Sequence, residues 1–228
     1  MKNPASTATF VMSGYTLTLF EDRLGPAARA KLSPTPRVLY VRAGTIDVAT
    51  AGGRRRVGAD SAWHGTAGGT IQAGPQGATL LRYELHGPAR ATLGPGADAR
   101  LLLDHPIMLD RRQAYLMRCD RVDFAPGGEA LPHGHRGGGI RCLLEGELEV
   151  RVGGHSRRLM MPGDAWFESG VEPVHAIASR AAPTSFIRVS ILPAELRGRS
   201  SIVYVDPGHA SVKPRKYTVH VDAPIDLP

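Results

Sequence analysis

The sequence predicts an all-β protein built from two antiparallel β-barrels in tandem. Three observations support this fold class. The 228 residues include 27 glycines and 18 prolines, so the connections between elements must be many and short. Strand-length segments in which apolar and polar residues alternate with period two lie between these breaks. The order of such segments in the first half of the chain also recurs in the second half.

The internal repeat begins with an apolar strand, a glycine and an alternating strand. VLYVRAGTIDV at 38–48 has this form, and CLLEGELEV at 142–150 repeats it. A glycine-rich basic hairpin follows in each half. Farther along, TLLRYELHGP matches SFIRVSILPA and places Arg82 opposite Arg188. The common order and similar spacing of these matches indicate a duplication.

The segment HGPARATLGPGADAR at 86–100 is rich in Gly, Pro and Ala and is typical of a junction between domains. We therefore predict an N-terminal barrel over residues 1–95, and a C-terminal barrel with its tail over residues 96–228. The tail, from about residue 197, reads as strand and loop that pack over the barrels. Exposed barrel edges favour a homodimer.

The charge and the cysteines restrict the functional class and the compartment. A net charge of +7 and a pI near 9.8 suggest nucleic acid, yet the basic residues are scattered. The dense cluster Arg54-Arg55-Arg56 follows two glycines and is read as a solvated hairpin turn. Cys119 and Cys142 are too few for a disulfide framework and indicate buried thiols. Without a secretion signal or a bilayer-length apolar run, we expect a cytoplasmic protein with no nucleic-acid or membrane partner.

The stretch LPHGHRGGGIRCLLEGELEV at 131–150 contains the clearest candidate for chemistry. His133 and His135 are two residues apart, so in a strand they project from the same face and their ring nitrogens can converge on one ion. A third ligand is needed, and His175 is the candidate. Neutral imidazoles suit Fe, Zn, Ni, Cu or Mn, so the residues leave the metal open. The alternative is a pair of ordinary strand histidines facing a polar loop.

The spacing of these residues resembles the first motif of the cupin superfamily, G-x5-H-x-H-x3/4-E-x6-G. The Pro-Gly-Asp turn at 162–164, followed later by a histidine, is similar to the second motif. The resemblance implies two cupin-type barrels, each a double-stranded β-helix or jelly roll. Because the first half has no matching His-x-His pair, its barrel is expected to be degenerate and free of metal. The residues that match the first motif are Gly127, His133, His135 and Gly146.

Two departures from the family pattern shape the expected site. Gly139 stands where the family has a metal-binding Glu, and His175 lies one residue farther from the turn than is usual, which requires a local bulge. The resemblance then implies a three-histidine site, as in cupins similar to cysteine, diketone and gentisate dioxygenases. Such a site leaves a divalent ion, expected to be Fe(II) with Zn, Ni or Mn as alternatives, open to an anionic substrate. A glycine in place of the carboxylate is expected to widen that space.

Three further residues are candidates for the same site. Arg141 could clamp a substrate carboxylate if it faces inward, and is an exposed strand arginine otherwise. Glu168 is the nearest acid to the second motif and is a candidate general base. Glu129 could supply a remote carboxylate ligand.

These residues favour a metal-dependent dioxygenase acting on a small carboxylated or dicarbonyl compound, with His133, His135 and His175 as ligands. A lyase or isomerase that uses the metal as a Lewis acid is a close variant. A bicupin that binds or senses a small anionic molecule without turnover is the alternative from another class. The missing Glu and the displaced His175 support that alternative, and cupin folds serve many chemistries.

Overall fold

The computed structural model describes residues 12–87, 98–153, 156–211 and 215–228. The predicted all-β fold is confirmed, because these residues form antiparallel sheets joined by short turns. Two short 3-10 helices, Ala194–Leu196 and Pro207–Ser211, are the helical elements found in these ranges. Within them, no helix has the length and apolar character needed to cross a bilayer. Most of the predicted junction, residues 88–97, lies outside the described residues.

The first half of the chain forms one seven-stranded sheet. Its strands are β1 (Met12–Leu24), β2 (Arg29–Leu32), β3 (Arg37–Thr50), β4 (Gly53–Gly58), β5 (Ser61–Gly65), β6 (Gly69–His86) and β7 (Asp98–Asp110). The order is β4-β3-β6-β1-β7, while β2 pairs with β6 and β5 with β3. The long β3 and β6 pair with two register shifts, which bend a ladder and allow it to curl around its own apolar core.

The second half forms two five-stranded sheets that pack around one core. The two sheets together are here called the C-terminal barrel. Its strands are β8 (Tyr115–Phe124), β9 (Glu129–His135), β10 (Gly139–Glu145), β11 (Leu148–Val152), β12 (Ser156–Met160), β13 (Ala165–Glu168), β14 (Val174–Ala178), β15 (Thr184–Pro193), β16 (Ile202–Tyr204) and β17 (Arg215–Ile225). One sheet has the order β13-β10-β15-β8-β17, and the other has the order β12-β11-β14-β9-β16. The predicted tail therefore supplies an edge strand to each sheet.

One strand from beyond the predicted boundary belongs to the sheet of the first half. Strand β7 begins after residue 95, yet it pairs with β1 over most of its length. The first sheet thus extends past the boundary that the sequence predicts. The repeat is nevertheless visible in the structure: Arg82 on β6 and Arg188 on β15 are both buried, and each binds an aspartate.

A shared apolar layer joins the two halves. It contains side chains of β1, β3 and β6 together with alternate residues of β8, β10 and β15. Cys119 and Cys142 lie in this layer as buried free thiols, as predicted. Because side chains alternate along a strand, the other face of β8, β10 and β15 points into the C-terminal barrel. The polar residues on that inner face form the site.

Candidate functional site in the interior of the C-terminal barrel

The histidine pair lies on β9 and faces the barrel interior. His133 and His135 are 5% and 8% exposed, and both line one interior cavity, so the prediction that they project together is confirmed. Their ring centroids are 4.9 Å apart and the ring planes are nearly perpendicular. Nδ1 of His133 lies 2.7 Å from the carbonyl oxygen of Leu131, which can only accept. The proton is therefore on Nδ1, and Nε2 of His133 keeps its lone pair.

Both imidazoles are neutral at neutral pH. Burial, helped by the charge of Arg215, lowers the pKa of His133 to about 4. Burial also lowers the pKa of His135 to about 3, against the favourable contact with Glu168. The pair can accept hydrogen bonds or bind a cation, but it contributes no positive charge of its own.

His175 does not join the pair, and the expected three-histidine cluster does not form. Along β14 the burial alternates, so Val174 and Ala176 line the interior while His175 points outward. A register shift does occur between Val174 and Ala176, yet it leaves His175 on the outer face. There its Nε2 contacts the carboxylate of Glu129, which also removes Glu129 from the interior site.

A carboxylate does reach the interior, but from the neighbouring strand. Glu168 on β13 is paired directly with Gly139 on β10, and opposed residues in an antiparallel ladder point to the same side. Its Oε2 lies 3.5 Å from Nε2 of His135, and its Oε1 accepts a hydrogen bond of 2.9 Å from Nε1 of Trp166. The carboxylate that is missing at position 139 is thus replaced by one supplied across the ladder.

The space beside Gly139 is filled rather than widened, which corrects the expectation from the sequence. A Cβ atom at this position would lie 2.5 Å from the carbonyl oxygen of Val189 and 2.8 Å from Cα of Ser190. Both atoms belong to the backbone of β15, so they cannot move aside as a flexible side chain would. The close approach of β15 therefore requires a glycine.

Gly139→Ala should accordingly lower the free energy of unfolding by about 1–3 kcal/mol through overpacking. Urea denaturation of the variant beside the wild-type protein measures this change. Gly58→Ala is the matched control, because a Cβ there meets no heavy atom within 4 Å. Equal stability of the two variants would contradict the packing argument.

Arg141 faces inward, as its expected role of binding a substrate carboxylate required, but it already forms an ion pair with Glu168. Its side chain is 1% exposed, and Nη2 lies 2.6 Å from Oε2 of Glu168. The contact is an ion pair, and neither Nη2 nor Nε has a hydrogen-bond partner among the described residues. Burial lowers the pKa of Arg141 to about 10, which still leaves the guanidinium charged at neutral pH.

The pairing with Arg141 also bears on the expected role of Glu168 as a general base. Burial alone would raise the pKa of this carboxyl, but the charge of Arg141 and the contact with His135 hold it well below its usual range. A carboxylate stabilised so strongly in its anionic form accepts a proton poorly near neutral pH. In the structure, Glu168 therefore serves as the negative partner of Arg141 and not as a base.

A second ion pair lies beside the first. Arg141, Arg188 and Asp120 are directly paired in register across β10, β15 and β8. Nε and Nη2 of Arg188 donate to the two oxygens of Asp120 at 2.9 and 2.8 Å. Nη1 of Arg188 also lies 3.5 Å from Nε2 of His135. The inner face of this sheet therefore carries a row of buried charges beside the apolar side chains of Val122, Leu143 and Phe186.

The tail contributes two residues that the sequence did not single out. Arg215 and Tyr217 on β17 line the interior cavity with the histidines. Nε of Arg215 donates to the Tyr217 hydroxyl, whereas Nη1 and Nη2 are buried with no hydrogen-bond partner in the described part of the chain. No local pattern in RKYTVHVD marks them, because their position depends on the register between β17 and β8.

The interior cavity is small and adjoins a larger one. Its volume is about 20 Å³. The outer cavity measures about 400 Å³. Arg188 and Tyr217 line both cavities, and the wall of the outer one also includes Ile202 and Val219. The side chains of Arg188 and Tyr217 thus form part of the wall of both spaces.

The interior residues do not fit a metal ion as they are arranged. No group of three or more His, Cys, Asp or Glu side chains that could hold a metal occurs among the residues the structure describes. The two imidazoles have Glu168 beside them, but its oxygens are engaged by Trp166 and Arg141. A divalent cation would also face the guanidinium groups of Arg141 and Arg188 across a poorly solvated space.

No family model matches the sequence, and no curated protein is significantly similar to it. Among solved structures, the fold is similar to that of oxalate decarboxylase. A deletion mutant of the Bacillus subtilis enzyme has a TM-score of 0.64 at 13% identity, over 88% of this chain and 77% of that chain. The Bacillus subtilis enzyme at pH 4.6 has a TM-score of 0.62 at 12% identity, over 88% and 76%. A structure concerned with proton-coupled electron transfer in oxalate decarboxylase has a TM-score of 0.65 at 13% identity, over 88% and 78%.

Identity this low shows the fold alone, and the activity of those enzymes does not carry over with it. The chain therefore has the all-β fold of these oxalate decarboxylase structures.

Proposed function

We propose that the C-terminal barrel binds the carboxylate, or a similar oxyanion, of a small molecule. The charge balance of the interior carries this proposal. Arg141 is paired with Glu168 and Arg188 with Asp120, whereas Arg215 has no carboxylate partner, and its Nη1 and Nη2 have no acceptor among the described residues. Buried donors without partners are costly, and an anion that accepts from Arg215 and Arg141 removes that cost.

The sizes of the cavities indicate the shape of the ligand. One water molecule needs about 10–15 Å³ of such space, so the interior cavity of about 20 Å³ has room for one or two water-sized groups, such as the oxygens of a carboxylate. A larger body would extend into the outer cavity of about 400 Å³, along Tyr217, Ile202 and Val219. The favoured ligand is thus a small monoanion with an uncharged, partly apolar body.

Calorimetric titration with acetate, hexanoate and oxalate, at constant ionic strength set by chloride, tests the proposal. We expect saturable binding of carboxylates and a rise in the melting temperature with their concentration. Arg215→Met should weaken this binding roughly tenfold or more, because it removes charge-assisted hydrogen bonds to the anion. Arg55→Met, in the exposed basic hairpin, is the matched control and should bind like wild type.

The proposal is decided by comparing the three carboxylates and the three proteins. Hexanoate binding that exceeds acetate binding would support a body seated in the outer cavity. Equal binding by wild type, Arg215→Met and Arg55→Met would assign the anion to the general surface charge. Absence of saturable binding by every carboxylate would overturn the proposal.

A metal-dependent enzyme is the second candidate, and one observation favours it. Nε2 of His133 keeps its lone pair while Nδ1 is held by the Leu131 carbonyl, which is the arrangement of an imidazole ready to bind a metal. Fe(II) dioxygenase chemistry, or Lewis-acid chemistry with Zn, Ni or Mn, would need Arg141 to release Glu168. Stoichiometric metal in the purified protein, lost in the His133→Ala/His135→Ala variant, would support this candidate. A homodimer and a cytoplasmic location stay predictions.

A further inference from the structure

The buried pair of Arg141 and Glu168 lies beside the two histidines, at the centre of the site. We infer that the guanidinium of Arg141 is a built-in cation that takes the place of a metal ion in this barrel. The inference is tested separately from anion binding, because it concerns what neutralises Glu168, whereas the proposed function concerns the remaining donors of Arg141 and Arg215.

The first step of the argument is that potential ligands are present. Two imidazoles and one carboxylate face the same small space, since Glu168 enters across the ladder from Gly139 and its Oε2 lies 3.5 Å from Nε2 of His135. Two histidines and a carboxylate form a familiar donor set for divalent metals. The interior therefore contains a carboxylate although position 139 is a glycine.

The second step is that the carboxylate of Glu168 is already paired with a cation, the guanidinium of Arg141. Arg141 lies on β10 two residues after Gly139, and its Nη1 donates to the Gly139 carbonyl oxygen. This bond turns the guanidinium toward β13, where Nη2 reaches 2.6 Å from Oε2 of Glu168. The oxygen that faces His135 is thus the one that Arg141 neutralises.

The third step concerns charge and space. The Arg141 side chain is enclosed, and the cavity around it retains only about 20 Å³. With Arg188 also buried in the same row, a divalent ion would meet two like charges before it reached its ligands. Arg141 therefore supplies the charge balance that a metal would otherwise supply, and it excludes the metal.

Removing Arg141 should create a metal site, and this gain is the test. The proteins are wild type, Arg141→Met, Arg141→Met/Glu168→Gln and Arg55→Met as an exposed control. After treatment with EDTA, each is titrated with Zn²⁺, Mn²⁺ and, without oxygen, Fe²⁺. Bound metal is measured by elemental analysis after desalting, and the melting temperature is measured with and without metal.

We expect wild type and Arg55→Met to retain no stoichiometric metal and to show no metal-dependent melting temperature. Arg141→Met should bind metal stoichiometrically and melt at a higher temperature in its presence, because the ion replaces the lost cation beside Glu168. The double variant should lose this binding. If Arg141→Met folds only with metal, or if it fails to fold where the double variant folds, the result also supports the inference, since Glu168 then requires a cation.

Three outcomes would overturn the inference. Wild-type protein could bind stoichiometric metal that the His133→Ala/His135→Ala variant loses. Arg141→Met could bind no more metal than wild type. Both Arg141 variants could fail to fold, which would assign the side chain a packing role. Carboxylate titration of wild type reports on the proposed function separately, so either idea can fail while the other stands.

Discussion

Replacing Glu84 by glutamine should lower the free energy of unfolding by about 3–5 kcal/mol. Glu84 is buried in the N-terminal sheet, where one oxygen accepts from Arg37 at 2.9 Å and the other from Arg82 at 2.7 Å. Arg82 is also bound by Asp22 through two hydrogen bonds. Loss of the Glu84 charge leaves the two buried guanidinium groups of Arg37 and Arg82 with Asp22 as the one remaining carboxylate of this network.

The pH dependence of stability identifies the same carboxylate. Burial alone would raise the pKa of Glu84, but His86, Arg82 and Arg37 together lower it from 4.5 to about 2. A depressed folded-state pKa means that the stabilisation is present above pH 4.5 and is lost as the pH falls toward about 2. Urea denaturation across this window should show a loss of stability in wild type that is smaller in Glu84→Gln.

Glu147→Gln is the matched control, because Glu147 is exposed and makes no ion pair among the described contacts. It should follow wild type at every pH. A Glu84→Gln protein that is as stable as the control at pH 7 would show that Arg37 and Arg82 find other compensation, and would contradict the network argument.

Replacing Arg188 by methionine should also cost about 3–5 kcal/mol of unfolding free energy. The change removes both hydrogen bonds to Asp120 and leaves that carboxylate, which is 2% exposed, as an uncompensated buried charge. The double variant Arg188→Met/Asp120→Asn should recover a large part of the loss, since it removes the isolated charge as well. Chemical denaturation of the two single variants and the double variant measures the coupling between the residues.

Additive effects in this cycle would contradict a direct pair. Asp206→Asn provides the comparison, because Asp206 is exposed and should tolerate the same chemical change. The equivalent pairs Arg82 with Asp22 and Arg188 with Asp120 show that both halves of the repeat use buried ion pairs.

Local spacing in the sequence was sufficient for several features of this protein. The frequent Gly and Pro breaks and the alternating segments predicted an all-β chain, and the repeat predicted the equivalence of Arg82 and Arg188. Period-two geometry also predicted that His133 and His135 would share a face. These features depend on residues close together in the chain, or on an internal sequence repeat. Predicting them therefore required no information on which strands pair.

Tertiary structure alone decided which side chains meet inside the barrel. His175 points outward, Glu168 lies opposite Gly139, and Arg215 arrives from the tail, each because of the register of one strand against another. A shift of one residue moves a side chain to the other face of a sheet, so a motif matched by spacing cannot determine these contacts. The sequence therefore determined the fold class and the histidine pair, whereas strand register decided that arginine, rather than a third histidine, completes the site.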